Sequence, residues 1–120
     1  MSDVISTKYM FDSRYILENC VENCCWESAS SDTDGNQIPG EPWPRSNVKS
    51  VWECANYCET NPRCSGFHYY GHSDSLGAEE CYLKAGVTKI SKYLTDGRDR
   101  YGGICRKGMN CFGYCLICVL

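Results

Sequence analysis

Eleven cysteines in 120 residues are the side chains here with the most chemistry open to them, and their spacing decides which chemistry that is. Thiols hold zinc when they come as paired C-x2-C knuckles or as Cys/His sets. The only C-x2-C here runs from Cys115 to Cys118, and neither His68 nor His72 stands at ligand spacing from a cysteine pair. Cys111, Cys115 and Cys118 also spell C-x3-C-x2-C, the spacing that holds an iron–sulfur cluster in radical S-adenosylmethionine enzymes. Those enzymes carry it near the start of a large barrel, whereas here it closes a short chain, so the match is read as coincidence. A Cys–His nucleophile built on His68 or His72 fails for another reason: a thiol held in a cystine cannot attack, and no oxyanion-hole motif accompanies it. Asp32, Asp34 and Glu41 share one loop but lack EF-hand spacing, so no calcium site is expected. Gly102-Gly103 is no phosphate loop; beside Cys105 the two glycines point to a close backbone contact. The expectation is no metal, no cofactor and no enzyme. Cysteine at this density in a short chain instead marks a disulfide scaffold made in an oxidising compartment.

The elements that must position those cysteines can be read next. A chain of this length has room for one domain, whose core is too modest to be secure on packing alone. One clear helix is predicted from Ser50 to Thr60. Ser50 and Glu53 form an S-x-x-E capping box, and Val51, Cys54, Ala55 and Cys58 come at i, i+3, i+4 and i+7 as one apolar stripe. Asn61-Pro62 ends it, because the residue before proline disfavours the α region. Cys64 to Tyr70 reads as a strand with Phe67 and Tyr69 on one face, Cys81 to Lys84 as a second and Tyr101 to Cys105 as a third. Gly71 to Glu80 is a polar loop. From Ser28 to Asn47 the chain is dense in turn formers and holds three of the four prolines, so a long loop is expected there. Such a loop has a job or is tied down, and Trp43, between Pro42 and Pro44, is its expected anchor. Residues 1–19, with Tyr9, Met10, Phe11, Tyr15, Ile16 and Leu17, would form a short strand or a packed arm.

Cys54 and Cys58 stand one helical turn apart, so each should reach off the helix to another element. The simplest arrangement pairs Cys58 with the nearer thiol, Cys64, and Cys54 with the farther, Cys81. Two such staples, each worth about 2–4 kcal/mol, would pin the helix onto a small antiparallel sheet.

The stretch VKSVWECANYCETNPRCSGFHYY, then ECYLK, then YGGIC, resembles the PAN/apple domain family over roughly residues 25–105. That family places C-x3-C on a helix, a third cysteine before an aromatic strand and a fourth before a Leu-Lys strand. The resemblance implies an α+β, small disulfide-rich fold, one helix on a short antiparallel sheet, with the Cys54–Cys81 and Cys58–Cys64 pairs. It also implies a terminal bridge from Cys105 to Cys20, Cys24 or Cys25, with Cys25 favoured by its distance from the helix. The expected organisation is an N-terminal extension over 1–19, the domain over 20–105 and a Cys-rich apolar tail over 106–120. With Cys25 assigned, Cys20, Cys24, Cys111, Cys115 and Cys118 are left over; five is odd, so at least one is free or bonded to another chain. The apolar tail is expected to be held by bridges or by a neighbour.

Charge adds a candidate surface. Residues 1–83 carry 5 Lys/Arg against 13 Asp/Glu, whereas residues 84–107 carry Lys84, Lys89, Lys92, Arg98, Arg100, Arg106 and Lys107 against Asp96 and Asp99. A basic end on an acidic molecule favours an acidic or sulfated glycan, or the acidic end of another copy. The aromatic run Phe67, His68, Tyr69, Tyr70 offers rings for stacking on sugars, and Tyr69 and Tyr70 join the five cations Lys84, Lys89, Lys92, Arg98 and Arg100 as candidate ligand-binding residues. Net acidity disfavours nucleic acid, and no apolar run is long enough to span a membrane. The opening MSDVISTKYM shows no signal peptide, so a secreted or otherwise oxidising location is expected with its leader already removed or missing from the gene model. PAN/apple domains bind proteins or carbohydrates. The functional expectation is an extracellular, non-enzymatic structural subunit that self-associates or joins other extracellular proteins. The alternative is an adhesion module binding carbohydrate or protein through the basic 84–107 segment.

Overall fold

The computed structural model describes residues 20–21, 23–27, 31–74, 76–91 and 98–106, with Cys20 and Val21 described by their backbone alone. Helix α1 covers Val51–Glu59, and its start comes from local chemistry: the Ser50 Oγ accepts from the Glu53 amide at 3.1 Å. The expected box closes one residue early, because the Glu53 carboxylate accepts from the Lys49 amide at 2.9 Å rather than from that of Ser50. Cys54, Ala55 and Cys58 are buried along one stripe, with Val51 packed beside them.

The stripe lies on an antiparallel sheet. Its strands are β1 (Cys20–Val21), β2 (Cys24–Trp26), β4 (Asn36–Gln37), β5 (Gly66–Tyr70), β6 (Glu80–Ala85) and β8 (Arg100–Cys105), in the spatial order β1-β2-β8-β5-β6-β4. A separate ribbon pairs β3 (Asp32–Thr33) with β7 (Ile90–Ser91). Strand residues alternate between faces, and here the two faces have different company. Toward α1 point Cys24 and Trp26, Phe67 and Tyr69, Cys81 and Leu83, and Cys105, which form one apolar core with Cys54, Ala55 and Cys58. His68, Tyr70, Tyr82, Lys84 and Gly102 point the other way.

Three disulfides fix this arrangement on the helix side: Cys54–Cys81 ties α1 to β6, Cys58–Cys64 ties it to the turn before β5, and Cys24–Cys105 joins β2 to β8. The favoured partner of Cys105 is therefore corrected from Cys25 to Cys24. The register explains why. Cys24 lies directly opposite Cys105, with Cα atoms 4.0 Å apart, whereas Cys25 opposes Ile104 and faces the other side of the sheet. Cys25 is itself disulfide-bonded. Its bond is separate from the three above, in which the other six described half-cystines pair among themselves.

The long loop is less bare than expected. It contains β3 and β4, and Arg45 bridges backbone to backbone with Cys81 in both directions at 2.9 Å. Its anchors are Ile38 and Val48, both fully buried, and not Trp43, which is 40% exposed. Residues 1–19, the apolar tail from 107 onward, Lys92 and the side chain of Cys20 lie outside the described residues. Among the described residues no helix is long and apolar enough to cross a membrane.

Candidate binding cleft

On the sheet face turned away from α1, side chains from four separate stretches of chain enclose an open cleft of about 300 Å³, lined by Asp32, Trp43, His68, Tyr70, Tyr82 and Lys84. Strand register supplies four of them. His68 stands opposite Tyr82 across β5 and β6, and Tyr70 and Lys84 come two residues along on the same face. On its other side His68 faces Gly102 of β8. A Cβ at Gly102 would lie 2.8 Å from the backbone carbon and oxygen of Asp32, so the missing side chain is what lets β3 lie against the sheet. The Gly102 amide donates to the Ser31 Oγ at 2.8 Å, and the Thr33 hydroxyl donates to the Phe67 carbonyl at 3.2 Å.

This docking brings the Asp32 Oδ1 to 2.5 Å from the His68 Nδ1. His68 is 5% exposed, Asp32 roughly half-buried. Burial pushes the imidazole below its ordinary value; Asp32 pulls it back through a hydrogen bond and its charge, while Lys84 and Arg100 add to the depression. Burial also opposes ionisation of Asp32, but the hydrogen bond and charge of His68, the Thr33 amide and Lys84 together hold its carboxyl well below the usual range. At neutral pH the pair is thus a neutral imidazole donating Nδ1–H to a carboxylate. The other ring nitrogen, Nε2, is buried with no hydrogen-bond partner among the described residues. Lys84 donates to the Thr33 carbonyl at 2.8 Å and lies 3.9 Å from Asp32. Positive and negative charge therefore balance inside the cleft.

Aromatic rings make the walls. Trp43 meets Tyr82 edge-on at 4.9 Å, Tyr82 meets Tyr70 at 5.8 Å, and His68 lies 4.7 Å from Tyr70. The Arg98 guanidinium sits 4.7 Å from the centre of the Tyr70 ring and is held there by two 3.0 Å hydrogen bonds to the buried Asp74. Burial, then the hydrogen bond to Glu80, pushes the Tyr82 hydroxyl up to about 12, so it stays a proton donor.

The family model of the PAN domain matches residues 24–111. The chain belongs to the PAN domain family. No curated protein and no solved structure matches it significantly. PAN domains are in general non-enzymatic modules that engage proteins or carbohydrates, and the three disulfides fit the extracellular, oxidising setting in which such modules work.

Within this PAN domain the residues expected to bind divide into those at or beside the cleft and those away from it. Lys84 and Tyr70 line the cleft, Arg98 borders it through Tyr70, and Arg100 lies across from Tyr70 on β8. Lys89 is exposed elsewhere, its amide donating to Asp34 at 3.2 Å. Of these cations Lys84 turns inward and Arg98 is committed to Asp74. Tyr69 cannot serve as a contact: it is buried on the helix side, with its hydroxyl 2.7 Å from the Val48 carbonyl it donates to. The acidic loop residues also part company. Asp32 faces His68; Asp34 accepts from the Thr88 amide at 2.8 Å and from its hydroxyl; Glu41 meets Arg45 and Asn61. Asp32, Trp43, His68 and Tyr82 were not expected as a set. The signal that could have joined part of it is the period of two, which puts His68 with Tyr70 and Tyr82 with Lys84 on the face that Phe67, Tyr69 and Leu83 leave.

Proposed function

We propose that this PAN domain is an extracellular interaction module that holds one neutral sugar ring of a glycan in the cleft between Trp43, Tyr70 and Tyr82. The observation that carries this reading is the composition of the cleft. A sugar ring has an apolar face of C–H bonds and an equator of hydroxyls, so it wants a flat aromatic partner beside paired acceptors and donors. Trp43 is partly exposed and propped edge-on by Tyr82, which supports it as the platform. The Asp32 carboxylate is a strong acceptor and the Lys84 ammonium a donor, each charge balanced by the other. That balance favours a neutral sugar over the sulfated or acidic glycan that sequence charge suggests, because an added anion would meet Asp32.

The test is titration with the methyl glycosides of glucose, galactose and mannose, monitored by tryptophan indole NMR and fluorescence. At least one should bind with an affinity lost in Trp43→Ala and Asp32→Asn, while a heparin column should pass the protein at low salt. Heparin retention with no response to any neutral glycoside would replace this reading with the cationic one.

Covalent assembly is a second reading, favoured by cysteine arithmetic. The chain has eleven cysteines, an odd number, so at least one cannot be paired within one chain. The extensions are then the place where a subunit would link to a neighbour. Electrophoresis without reductant should show a ladder that collapses when reductant is added; a monomer in both lanes rules out covalent linkage.

A further inference from the structure

We infer that His68, on the floor of the cleft, is a proton-sensing positioning residue that lets the module hold its ligand at neutral pH and release it in acid. This rests on the reading of the cleft as a binding site. His68 is almost wholly buried and acts through Asp32, whose carboxylate it fixes by donating Nδ1–H across 2.5 Å. In the neutral ring that single donor is satisfied and Nε2 carries only a lone pair. A proton added at Nε2 creates a second N–H at an atom that is buried with no hydrogen-bond partner among the described residues.

The groups facing the ring decide how it responds to that proton. From β3 comes Asp32, which welcomes the new charge; from β6 come Lys84 and Tyr82; from β5 itself Tyr70; and from β8 Arg100. Two of the three charged neighbours are cations, and the rings offer Nε2–H no carboxylate. Among the described residues nothing accepts from the new N–H, so the imidazolium is satisfied by turning toward water, and its strong tether there is Asp32. Asp32 belongs to a two-residue strand held to the sheet mainly by contacts at Gly102, Phe67 and Lys84. Moving the ring therefore shifts the acceptor that the ligand hydroxyls need. Burial already sets the imidazole below its ordinary value, so the neutral, binding-competent form dominates at pH 7 and gives way only below about 6.5.

Two measurements test this on the intact protein. NMR of the His68 ring and of the Thr33 and Gly102 amides, from pH 7.5 to 4.5, should show one shared titration below pH 6.5 without any ligand. Affinity for whichever methyl hexoside binds at pH 7.5 should fall about fivefold or more by pH 4.5, the loss of roughly one good hydrogen bond. In His68→Asn, whose side-chain amide can donate to Asp32 but does not titrate, the fall should disappear; His72→Gln should keep it. An affinity equal at both pH values overturns the inference and leaves the binding site standing. Absence of binding at pH 7.5 overturns the binding site and with it ligand release. If His68→Asn does not fold, the wild-type titration decides alone: Thr33 and Gly102 shifts that ignore the His68 ring would overturn the coupling.

Discussion

Adjacent glycines on β8 offer a test that separates the two faces of the sheet. Gly102 and Gly103 point in opposite directions, Gly102 toward β3 and the cleft and Gly103 toward the core, where a Cβ would lie 2.2 Å from the Phe67 ring. In Gly102→Ala the new Cβ starts 2.8 Å from the Asp32 carbonyl group and must reach the ordinary 3.4 Å, so β3 retreats by about 0.6 Å. Overpacking of this kind costs about 1–3 kcal/mol, and the stiffer unfolded chain returns about 0.4–1 kcal/mol. The net loss should be about 1–2 kcal/mol, or roughly 5–10 °C in melting temperature for a domain of this size. The retreat also carries Asp32 away from His68, so methyl hexoside affinity should fall. Gly103→Ala should destabilise at least as much, because the Phe67 ring is fully buried, yet leave the affinity of the folded protein unchanged. Guanidinium denaturation without reductant gives the stability and glycoside titration the affinity. Equal affinities in Gly102→Ala and the wild type, or equal losses of affinity in the two variants, would refute the assignment of the faces.

Three further outcomes rest on the bridges, the Arg98–Asp74 pair and the helix cap. Removing the bridges one pair at a time, by Cys→Ala at both ends, should cost most for Cys24–Cys105 and least for Cys58–Cys64, since they span 81 and 6 residues; loop entropy gives about 4.5, 3.6 and 2.2 kcal/mol for Cys24–Cys105, Cys54–Cys81 and Cys58–Cys64, and a reversed order of denaturation midpoints would contradict it. The hydrogen bonds from Arg98, with burial opposing them, lower the Asp74 carboxyl to about 2 from 3.8, so its contribution is complete above pH 3.8 and disappears as pH falls toward 2; allowing for solvent screening, about 1–2 kcal/mol of wild-type stability should go in that window and markedly less in Asp74→Asn, as read by thermal melts at stepped pH. Ser50→Ala should lower stability by about 1 kcal/mol through the lost cap, with a shifted urea midpoint and an unchanged slope.

The sequence made the scaffold legible where the chemistry is local. A serine three residues before a glutamate, leading into an apolar stripe, is enough to start α1 and choose its buried side, and the stacked Cys54 and Cys58 must then reach off it. Strand ends moved by a residue or two; Cys64, for example, falls in the turn and not in β5. The choice between Cys24 and Cys25 was not legible, because a shift of one residue changes the face and only pairing with β8 fixes which residue meets Cys105. The cleft was harder still. Its residues run from 32 to 84, and nothing along the chain announces that Gly102 makes room for Asp32 beside His68. Summed charge pointed to a basic surface, but charge counts carry no direction, and Lys84 and Arg98 spend theirs on Asp32 and Asp74.

The division of labour between the two faces has a consequence for how such a module can change. All three described bridges and the apolar core lie on the α1 side, whereas five of the six cleft residues are at least partly exposed. Two of those five, Asp32 and Trp43, come from the long loop: Asp32 sits on β3, and Trp43 lies between the buried anchors Ile38 and Val48. The segment between those two anchors, which carries Trp43, holds no half-cystine and can exchange its exposed side chains without disturbing a described bridge. Selection or a designer could thus vary what is recognised one position at a time on an unchanged chassis, with His68 as the one cleft residue whose replacement must answer to packing as well as to the ligand.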